Sequence, residues 1–199
     1  ASRVLDVDPA ELSAGHRLLP AGSASGANFD LYLFDNASGG AGYAAEAGRE
    51  LDTILQAALK LVEDCPRDCE RSCTRCLRHY GNRFWHGSLD RHLAVQVLRH
   101  VLYGELPAPV PVAVQRRQLA ALRRFLELEG WEIDPVAEAP LAVLWNGRRV
   151  VVGIYPALLN ADDPAFVNSL GPASLLLRDY VVARDLPAAY AEVRRAVGR

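Results

Sequence analysis

The hydrophobic pattern of the first half of the chain predicts two amphipathic helices and one strand. Residues 43–62 repeat apolar side chains at helical spacing, which predicts a helix with one buried stripe formed by Leu51, Ile54, Leu55, Ala58 and Val62. Residues 88–104 show the same spacing, with Ser88 as the expected N-cap and Gly104 as the expected end. Before both helices, residues 29–35 (FDLYLFD) alternate and are rich in aromatic residues, which predicts a strand with one well-buried face.

The second half of the chain predicts a small α/β domain that follows a linker. Residues 107–113 include three prolines, which neither a helix nor a central strand tolerates. We therefore expect a first domain over residues 1–106 and a second over residues 114–199. The second domain begins with a helical pattern and continues with three strands, the last two joined by the hairpin signal Asn146-Gly147. A further strand (SLLLRDYVV) and a closing helix complete an α/β order of elements.

Length and composition are those of a globular protein. The chain has 199 residues, half of them apolar, which is enough to bury a real core. The expected fold class is α/β (α+β): a helical domain with a short N-terminal sheet, followed by the small α/β domain. The chain has no run of 18 apolar residues and no signal-peptide pattern at its start, so we expect a cytoplasmic protein. Methionine is absent even at position 1, which indicates a processed chain or a piece of a larger protein.

The distribution of charge points to one basic region within a chain of net charge -2. The basic residues are 21 arginines and a single lysine, Lys60. Residues 65–100 contain seven arginines against three acids, together with four histidines. Guanidinium groups suit phosphate oxygens, so this excess could face a nucleic-acid backbone. A solvated helix face would give the same local composition.

All four cysteines fall within twelve residues, CPRDCERSCTRC, at positions 65, 69, 73 and 76. Disulfides are a poor explanation for a chain expected in the cytoplasm, where thiols stay reduced. A redox pair would use Cys73 and Cys76 and would leave the other two cysteines without a role. Four thiolates in one loop between two helices suit a tetrahedral zinc ion that is closed to water and therefore structural. The spacing favours zinc, and the redox alternative stays open until metal content or thiol reactivity is known.

The position of the cysteines also predicts what zinc would do. The first two follow the helix over residues 43–62, and the last two are expected to begin a short helix through Tyr80, so the metal would fix two helix ends. If one cysteine were not a ligand, His79 or His86 would be the substitute. A histidine beside aromatic residues such as Trp85 is otherwise a packed side chain.

Three motifs together resemble a known family. LFDNASGGAGY, the four-cysteine loop and CLRHYGNRFWHGSLDRHLA are similar to the zinc-binding domain (MZB type) at the C-terminal end of a group of bacterial and archaeal superfamily 2 DNA helicases. The same domain occurs in the helicase-partner protein of DISARM-type phage-defence systems. The resemblance covers about residues 15–104, and its combination of motifs is more specific than any one of them. It implies a structural zinc domain that assists a DNA-translocating machine, with DNA and a fused or separate helicase motor as partners.

The resemblance also implies roles for individual residues, none of them catalytic. It makes Cys65, Cys69, Cys73 and Cys76 the ligands of one structural zinc ion. The loop before the first helix matches the family at Asp35, Gly39, Gly40, Ala41 and Gly42. The segment after the cysteines matches it at Leu77, Arg78, Tyr80, Asn82, His86, Leu89, Asp90 and Arg91.

The motor of such a machine is not encoded here by any recognisable phosphate loop. No GxxxxGK[ST] motif occurs, and the single lysine lies inside a predicted helix, so ATP hydrolysis by that route is excluded. We therefore expect an accessory, non-catalytic protein whose ATP-dependent helicase lies outside this chain.

Two regions are candidates for DNA contact. The segment after the cysteines combines positive charge with rings on which a single strand could stack; the candidates are Arg75, Arg78, His79, Arg83, Trp85, His86 and Arg91. An aromatic residue in that segment could instead belong to the core. The glycine loop (Gly39, Gly40 and Gly42) precedes a helix N-terminus that could bind a phosphate, although a tight turn explains the same glycines.

The order of elements after residue 114 is similar to that of a restriction-endonuclease-like core. In that topology the third strand would provide an acid-x-Lys pair, but RRVVVGIYP contains neither an acid nor a lysine. A nuclease-like domain, the enzymatic alternative, would therefore lack its metal ligands. The carboxylates that remain are Asp134, Glu138, Asp162 and Asp163, which we expect to solvate loops. A protein-interaction scaffold without DNA binding is the third alternative.

Overall fold

The computed structural model describes residues 1–19, 28–135, 139–160 and 175–198. Two compact units, Ala1–Glu105 and Leu106–Arg199, divide the chain at the start of the proline-rich stretch. Within the described residues, no helix is both long and apolar enough to cross a membrane.

The first unit begins with short elements and a two-stranded antiparallel ribbon. Helix α1 (Ser2–Leu5) and a 3₁₀ turn (Pro9–Glu11) precede strand β1 (Leu12–Leu19) and strand β2 (Asn28–Asp35). Strand β1, which the sequence analysis did not predict, pairs with β2 from Leu12 opposite Asp35 to Leu19 opposite Asn28.

The well-buried face predicted for β2 is wrong. The side chain of Leu31 is 80% exposed, and Tyr32 and Phe34, on the other face of the ribbon, are also exposed. Alternation shows which residues share a face of a strand, but it does not show whether a second layer covers that face. In a two-stranded ribbon both faces depend on neighbours from elsewhere in the fold.

Two consecutive helices replace the single helix predicted over residues 43–62. Helix α2 (Tyr43–Arg49) and helix α3 (Leu51–Glu63) are separated at Glu50, where the backbone leaves helical geometry. The buried positions of α3 are Leu59 and Val62, whereas Leu51 is 54% exposed. Leu51 was predicted in the buried stripe, but it is exposed at the first residue of α3, where the helix begins.

Helix α4 (Arg91–Tyr103) packs against α3 and ends at Gly104, whose left-handed backbone confirms the predicted end. Its N-cap is Asp90, not Ser88, because the Asp90 carboxylate accepts hydrogen bonds from the amides of His92 and Leu93. The short helix predicted from Cys73 to Tyr80 is also wrong. Turns occupy that stretch, and a 3₁₀ helix (Tyr80–Trp85) follows it.

The second unit is a four-stranded sheet covered by helices. It contains α5 (Val112–Gln118), α6 (Ala120–Leu128), β3 (Glu132–Ile133), β4 (Leu141–Trp145), β5 (Arg148–Tyr155), β6 (Leu175–Arg178), α7 (Asp179–Arg184) and α8 (Leu186–Gly198). The strand order is β3-β4-β5-β6, with β6 parallel to β5 and the other pairs antiparallel. Asn146 and Gly147 both have positive φ, which confirms the predicted hairpin between β4 and β5.

The core of the second unit lies between the sheet and its helices. Side chains such as Leu122, Val143, Ile154, Leu177 and Val193 are completely shielded from solvent. The buried amide of Gln115 connects α5 to β5, because it accepts a hydrogen bond from the Ile154 amide at 2.7 Å and donates one to the Val110 carbonyl at 2.7 Å. Helix α5 begins inside the predicted linker, since Pro111 at its N-cap does not oppose a helix start.

The fold class is mixed α/β, as the sequence predicts. The order of a helix, three antiparallel strands and a parallel fourth strand is present in the second unit. Its similarity to a restriction-endonuclease-like core stays a prediction.

Candidate metal centre and the segment that follows it

The four cysteine sulfur atoms meet in one cluster between α3 and α4. Among the described residues, they form the one group of at least three His, Cys, Asp or Glu side chains whose ligand atoms all lie within 4.8 Å of one another. Cys65 is buried at the end of α3, and the other three cysteines are partly exposed. His79 and His86 are not part of the cluster, so the histidine substitution considered from the sequence is not needed.

The spacing of the sulfur atoms fits a tetrahedral zinc ion. The Sγ–Sγ distances are 3.7 Å from Cys65 to Cys69, 3.6 Å from Cys65 to Cys73, 3.7 Å from Cys69 to Cys76 and 3.8 Å from Cys73 to Cys76. Four thiolates bound to zinc at about 2.3 Å have sulfur–sulfur edges of about 3.8 Å. A disulfide would need a separation of about 2.05 Å, and all four thiols are free. The cluster is therefore a site for one structural zinc ion.

Backbone amides of the loop also point at the sulfur atoms. The Cys73 amide donates to the sulfur of Cys76 at 3.2 Å, and the Arg75 amide donates to the sulfur of Cys73 at 3.4 Å. Such bonds stabilise the thiolate form and fix the direction of the ligands before a metal binds. The backbone of the loop therefore favours the thiolate form of these cysteines.

The pKa values of two cysteines move in opposite directions. The Arg67 amide, followed by the Cys69 amide, lowers the pKa of Cys65 to about 6, although burial opposes the shift. Burial, together with hydrogen bonds to the sulfurs of Cys76 and Cys65, raises the pKa of Cys69 to about 12. Cys65 is therefore a thiolate at neutral pH before zinc arrives. The two charges of a zinc ion favour the thiolate at every ligand, Cys69 included.

Arg91 fixes the zinc loop to both helices. Its Nε donates to the carbonyl of Cys69 at 2.6 Å, and its Nη1 lies 3.3 Å from the carbonyl of Val62 and 3.4 Å from that of Glu63. Its Nη2 forms an ion pair with Asp68. The carbonyls of Val62 and Glu63 are at the end of α3, where helix geometry leaves acceptors without partners. The guanidinium of Arg91 therefore connects the end of α3 and the zinc loop to the start of α4.

This environment makes the prediction of Arg91 as a DNA contact wrong. The side chain is buried, and its donors are directed at the protein backbone and Asp68. Arg78 is also partly occupied, since its Nε donates to the buried Ser72 hydroxyl at 2.9 Å. Sequence spacing could not distinguish Arg91 from an exposed arginine, because three of its four partners are backbone carbonyl groups, which every residue has.

Asn82 organises the 3₁₀ helix that follows the zinc ligands. Its Oδ1 accepts from the His79 amide at 2.9 Å, and its Nδ2 donates to the Leu77 carbonyl at 2.7 Å. The Nε2 of His86 lies 3.0 Å from the same Oδ1 and 3.1 Å from the His79 carbonyl. His86 therefore has a packing role within this turn, and His79 is exposed beside it.

The exposed candidates for DNA contact lie in this segment. Arg75, His79 and Arg83 are exposed, and Trp85 is 61% exposed. The structure adds two exposed rings, Tyr80 and Phe84, that the sequence analysis did not name as contacts. The signal available in the sequence was the run of residues 71–89, which has four arginines and neither aspartate nor glutamate.

The glycine loop is a turn closed by a carboxylate. Gly39, Gly40 and Gly42 all have positive φ, between 77° and 87°, where a side chain would be strained. Asp35 accepts from the Gly42 amide at 2.9 Å and from the Ala44 amide at 2.8 Å. Asp35 therefore caps α2. The Asp35 carboxylate occupies the amide donors at the start of α2 that a phosphate would need, and its negative charge would repel a phosphate.

In the second unit, the one described carboxylate of the nuclease hypothesis is in an ion pair. The Oδ2 of Asp134 lies 2.6 Å from the Nε of Arg149. Glu138, Asp162 and Asp163 lie outside the described residues. Strand β5 supplies no acid or lysine, as its sequence indicates.

Comparison with known proteins agrees with the zinc geometry. Residues 1–77 match the model of the MZB family, the MrfA Zn-binding domain. The chain is 39% identical over 196 residues to the Druantia protein DruE of Escherichia coli (strain UMEA 4076-1). That alignment covers 96% of this chain but 11% of the relative, so the chain spans about a tenth of the length of that protein. No solved structure matches the chain.

Proposed function

We propose, from the match of residues 1–77 to the model of the MZB family, that this chain is a non-catalytic zinc module of a DNA helicase or phage-defence assembly. In this proposal the module contacts DNA, the helicase motor or both. Zinc has no reactive position in it, because four protein sulfurs fill a tetrahedral shell and leave no site for water. Its task is to hold the loop and the segment after it in a fixed shape.

The observation that supports DNA contact is an acid-free basic segment that contains the last two zinc ligands, Cys73 and Cys76, and continues after them. Residues 71–89 combine four arginines with no carboxylate, although the whole chain has a net charge of -2. Two of these arginines, Arg75 and Arg83, are exposed. Arginine side chains on one fixed surface suit phosphate oxygens, and their binding releases counterions from the nucleic acid.

The proposal places the motor in another part of a longer polypeptide or in another subunit. The resemblance to helicase-associated domains supports this, as does the similarity to a protein of which this chain spans 11%. Within the chain, no phosphate-binding loop of the GxxxxGK[ST] type occurs.

Salt-dependent DNA binding tests the proposal. The zinc-loaded 199-residue chain is titrated into a fluorescein-labelled oligonucleotide at several salt concentrations, and affinity is read from fluorescence anisotropy. About four phosphate contacts with a single strand predict a slope of about -3 for log affinity against log salt. Replacing Arg75 and Arg83 by glutamine should bring the slope about 1.4 units closer to zero.

The matched control replaces two exposed arginines of the second unit, Arg117→Gln and Arg124→Gln, which removes the same charge from a different surface. This control should leave the slope unchanged. Zinc binding without any salt-sensitive affinity for DNA would contradict DNA contact and favour a protein-interaction scaffold. An equal effect of both arginine pairs would show that net charge alone, and no defined surface, attracts the DNA.

A further inference from the structure

The 3₁₀ helix Tyr80–Trp85 exposes three aromatic rings within six residues. Tyr80 is 81% exposed, Phe84 is 82% exposed and Trp85 is 61% exposed. Leaving large rings in water forgoes the free energy of their burial, so a cluster of them on a surface marks a place where something binds. No second element covers these rings within the first unit as described.

Arg83 lies against two of the rings. Its guanidinium carbon is 4.3 Å from the centre of the Tyr80 ring and 4.5 Å from that of Phe84, and its Nη1 donates to the Tyr80 carbonyl at 3.3 Å. The flat guanidinium group and the rings of Tyr80 and Phe84 thus form a stack in which the guanidinium carries a positive charge and the rings offer apolar faces. Flat apolar faces next to a positive charge are what a nucleobase and its phosphate require.

The stack rests on a fixed backbone. Asn82, in the middle of the 3₁₀ helix, is hydrogen-bonded to the His79 amide and the Leu77 carbonyl, and its Oδ1 also contacts the His86 ring. The zinc ligand Cys76 precedes this turn by four residues. A binding surface that is already ordered loses little conformational entropy when a ligand binds.

Charge and ring exposure together select the occupant. A protein partner would be matched by the rings, but only a strongly acidic one would also be matched by the exposed Arg75 and Arg83 of the acid-free residues 71–89. Duplex DNA offers phosphates, but its bases are stacked on one another and present no free face. A single DNA strand offers phosphates and unpaired base faces at once.

We propose that Tyr80, Arg83, Phe84 and Trp85 form a stacking site for the unpaired bases of single-stranded DNA. The inference rests on the proposed function, because it takes DNA as the ligand and adds the form of DNA and the contact that selects it. The rings bind bases, while Arg75 and the exposed edge of the Arg83 guanidinium bind the backbone.

The experiment separates bases from phosphates by using three labelled ligands with the zinc-loaded 199-residue chain. They are a 20-nucleotide thymidine strand, the same strand with every base replaced by an abasic residue, and a 20-base-pair duplex. We expect the thymidine strand to bind about tenfold more tightly than the abasic strand. The double variant Tyr80→Ala, Phe84→Ala should lose about tenfold on the thymidine strand and keep its affinity for the abasic one.

A second variant removes the flat stack without removing charge. Arg83→Lys should weaken binding of the thymidine strand several-fold and leave the abasic strand unaffected, because a lysine ammonium pairs with phosphate but does not stack. The matched control is Tyr103→Ala, which removes an exposed ring of the same unit outside the basic segment and should change nothing. Zinc content of each variant checks that its fold is intact.

The outcomes distinguish failure of the stacking site from failure of the proposed function. Equal affinity for the abasic and thymidine strands, unchanged by Tyr80→Ala, Phe84→Ala, would overturn stacking and leave backbone binding to DNA in place. Tighter binding to the duplex than to the thymidine strand would also overturn it. Absence of binding to all three ligands would overturn both the stacking site and DNA contact as a function of this chain.

Discussion

Arg91 is the one arginine among the described residues that is buried. A buried guanidinium is costly unless its donors are paired, and here they reach the carbonyls of Cys69, Val62 and Glu63 and the carboxylate of Asp68. These acceptors belong to α3 and to the zinc loop, whereas Arg91 is the first residue of α4. We infer that the residue sets the geometry of the loop and does not contact a ligand.

Arg91→Lys should therefore lower stability even though it keeps the charge. Lysine cannot reproduce the planar fork, so at least two of the three carbonyls lose a donor, and we expect a loss of about 2 to 3 kcal/mol in the free energy of unfolding of the first unit. Urea unfolding followed by zinc release to a chromophoric chelator measures this loss.

The control for that measurement is Arg49→Lys. Arg49 forms an exposed ion pair with Glu46 one turn earlier in α2, and such pairs contribute little. The two variants should therefore differ clearly in the urea concentration at which they unfold. If Arg91→Lys unfolded at the same urea concentration as Arg49→Lys, the bonds to the loop would not be structurally important.

At the scale of elements, the loop between α3 and the 3₁₀ helix prepares one cysteine for metal before the others. The pKa of Cys65 is about 6, below its ordinary value, so the folded state favours its thiolate. The stability that this thiolate contributes is present at high pH and is lost as the pH falls through about 6. The raised pKa of Cys69 acts in the opposite direction and favours its protonated form in the metal-free loop until the pH approaches 12.

Zinc affinity should consequently change its pH dependence near pH 6. Above this pH zinc displaces no proton from Cys65, and below it zinc must displace one more, so a plot of log affinity against pH should become steeper by about one unit. Competition with a chromophoric chelator between about pH 5 and pH 8 measures the slope. The change should be missing in Cys65→Ser, which also binds zinc more weakly. A constant slope in the unaltered protein would contradict the assigned pKa of Cys65.

Elements with strong local signals could be predicted from the sequence. Helical spacing predicted helices at the positions of α3 and α4. The dipeptide Asn146-Gly147, whose residue types tolerate positive φ, predicted the hairpin, and four clustered cysteines predicted the metal site. These features depend on neighbours in the chain, so the sequence contains their physical cause.

Features that depend on distant groups could not be predicted in the same way. Ser88 and Asp90 are both residue types that favour the N-cap position. Helix α4 starts after Asp90 because the Arg91 amide donates a hydrogen bond to the carbonyl of Arg71, in the zinc loop, at 2.7 Å. The exposure of Leu31 and the burial of Arg91 depend on which elements cover them. Alternation and charge spacing do not contain that information.

At the scale of the whole molecule, the two units have unequal apolar cores. Among the described residues, the buried apolar side chains of the first unit are Ala47, Leu59, Val62 and Cys65, and the others all lie in the second unit. Four buried residues are few for a unit of this length, since apolar burial is the main favourable term in folding. The zinc ion, bound by Cys65 and the other three cysteines, supplies the stability that the small core does not.

Zinc removal should therefore strongly destabilise the first unit and leave the stability of the second unit unchanged. Amide hydrogen exchange on the zinc-loaded chain, with and without the chelator EDTA, measures the protection of both units in one experiment. We expect one zinc per chain before EDTA is added. After its addition, protection should fall strongly in α3 and α4 and stay unchanged in β5, whose side chains pack in the core of the second unit. A metal-free chain with α3 and α4 fully protected would show that the four sulfurs do not hold the first unit together.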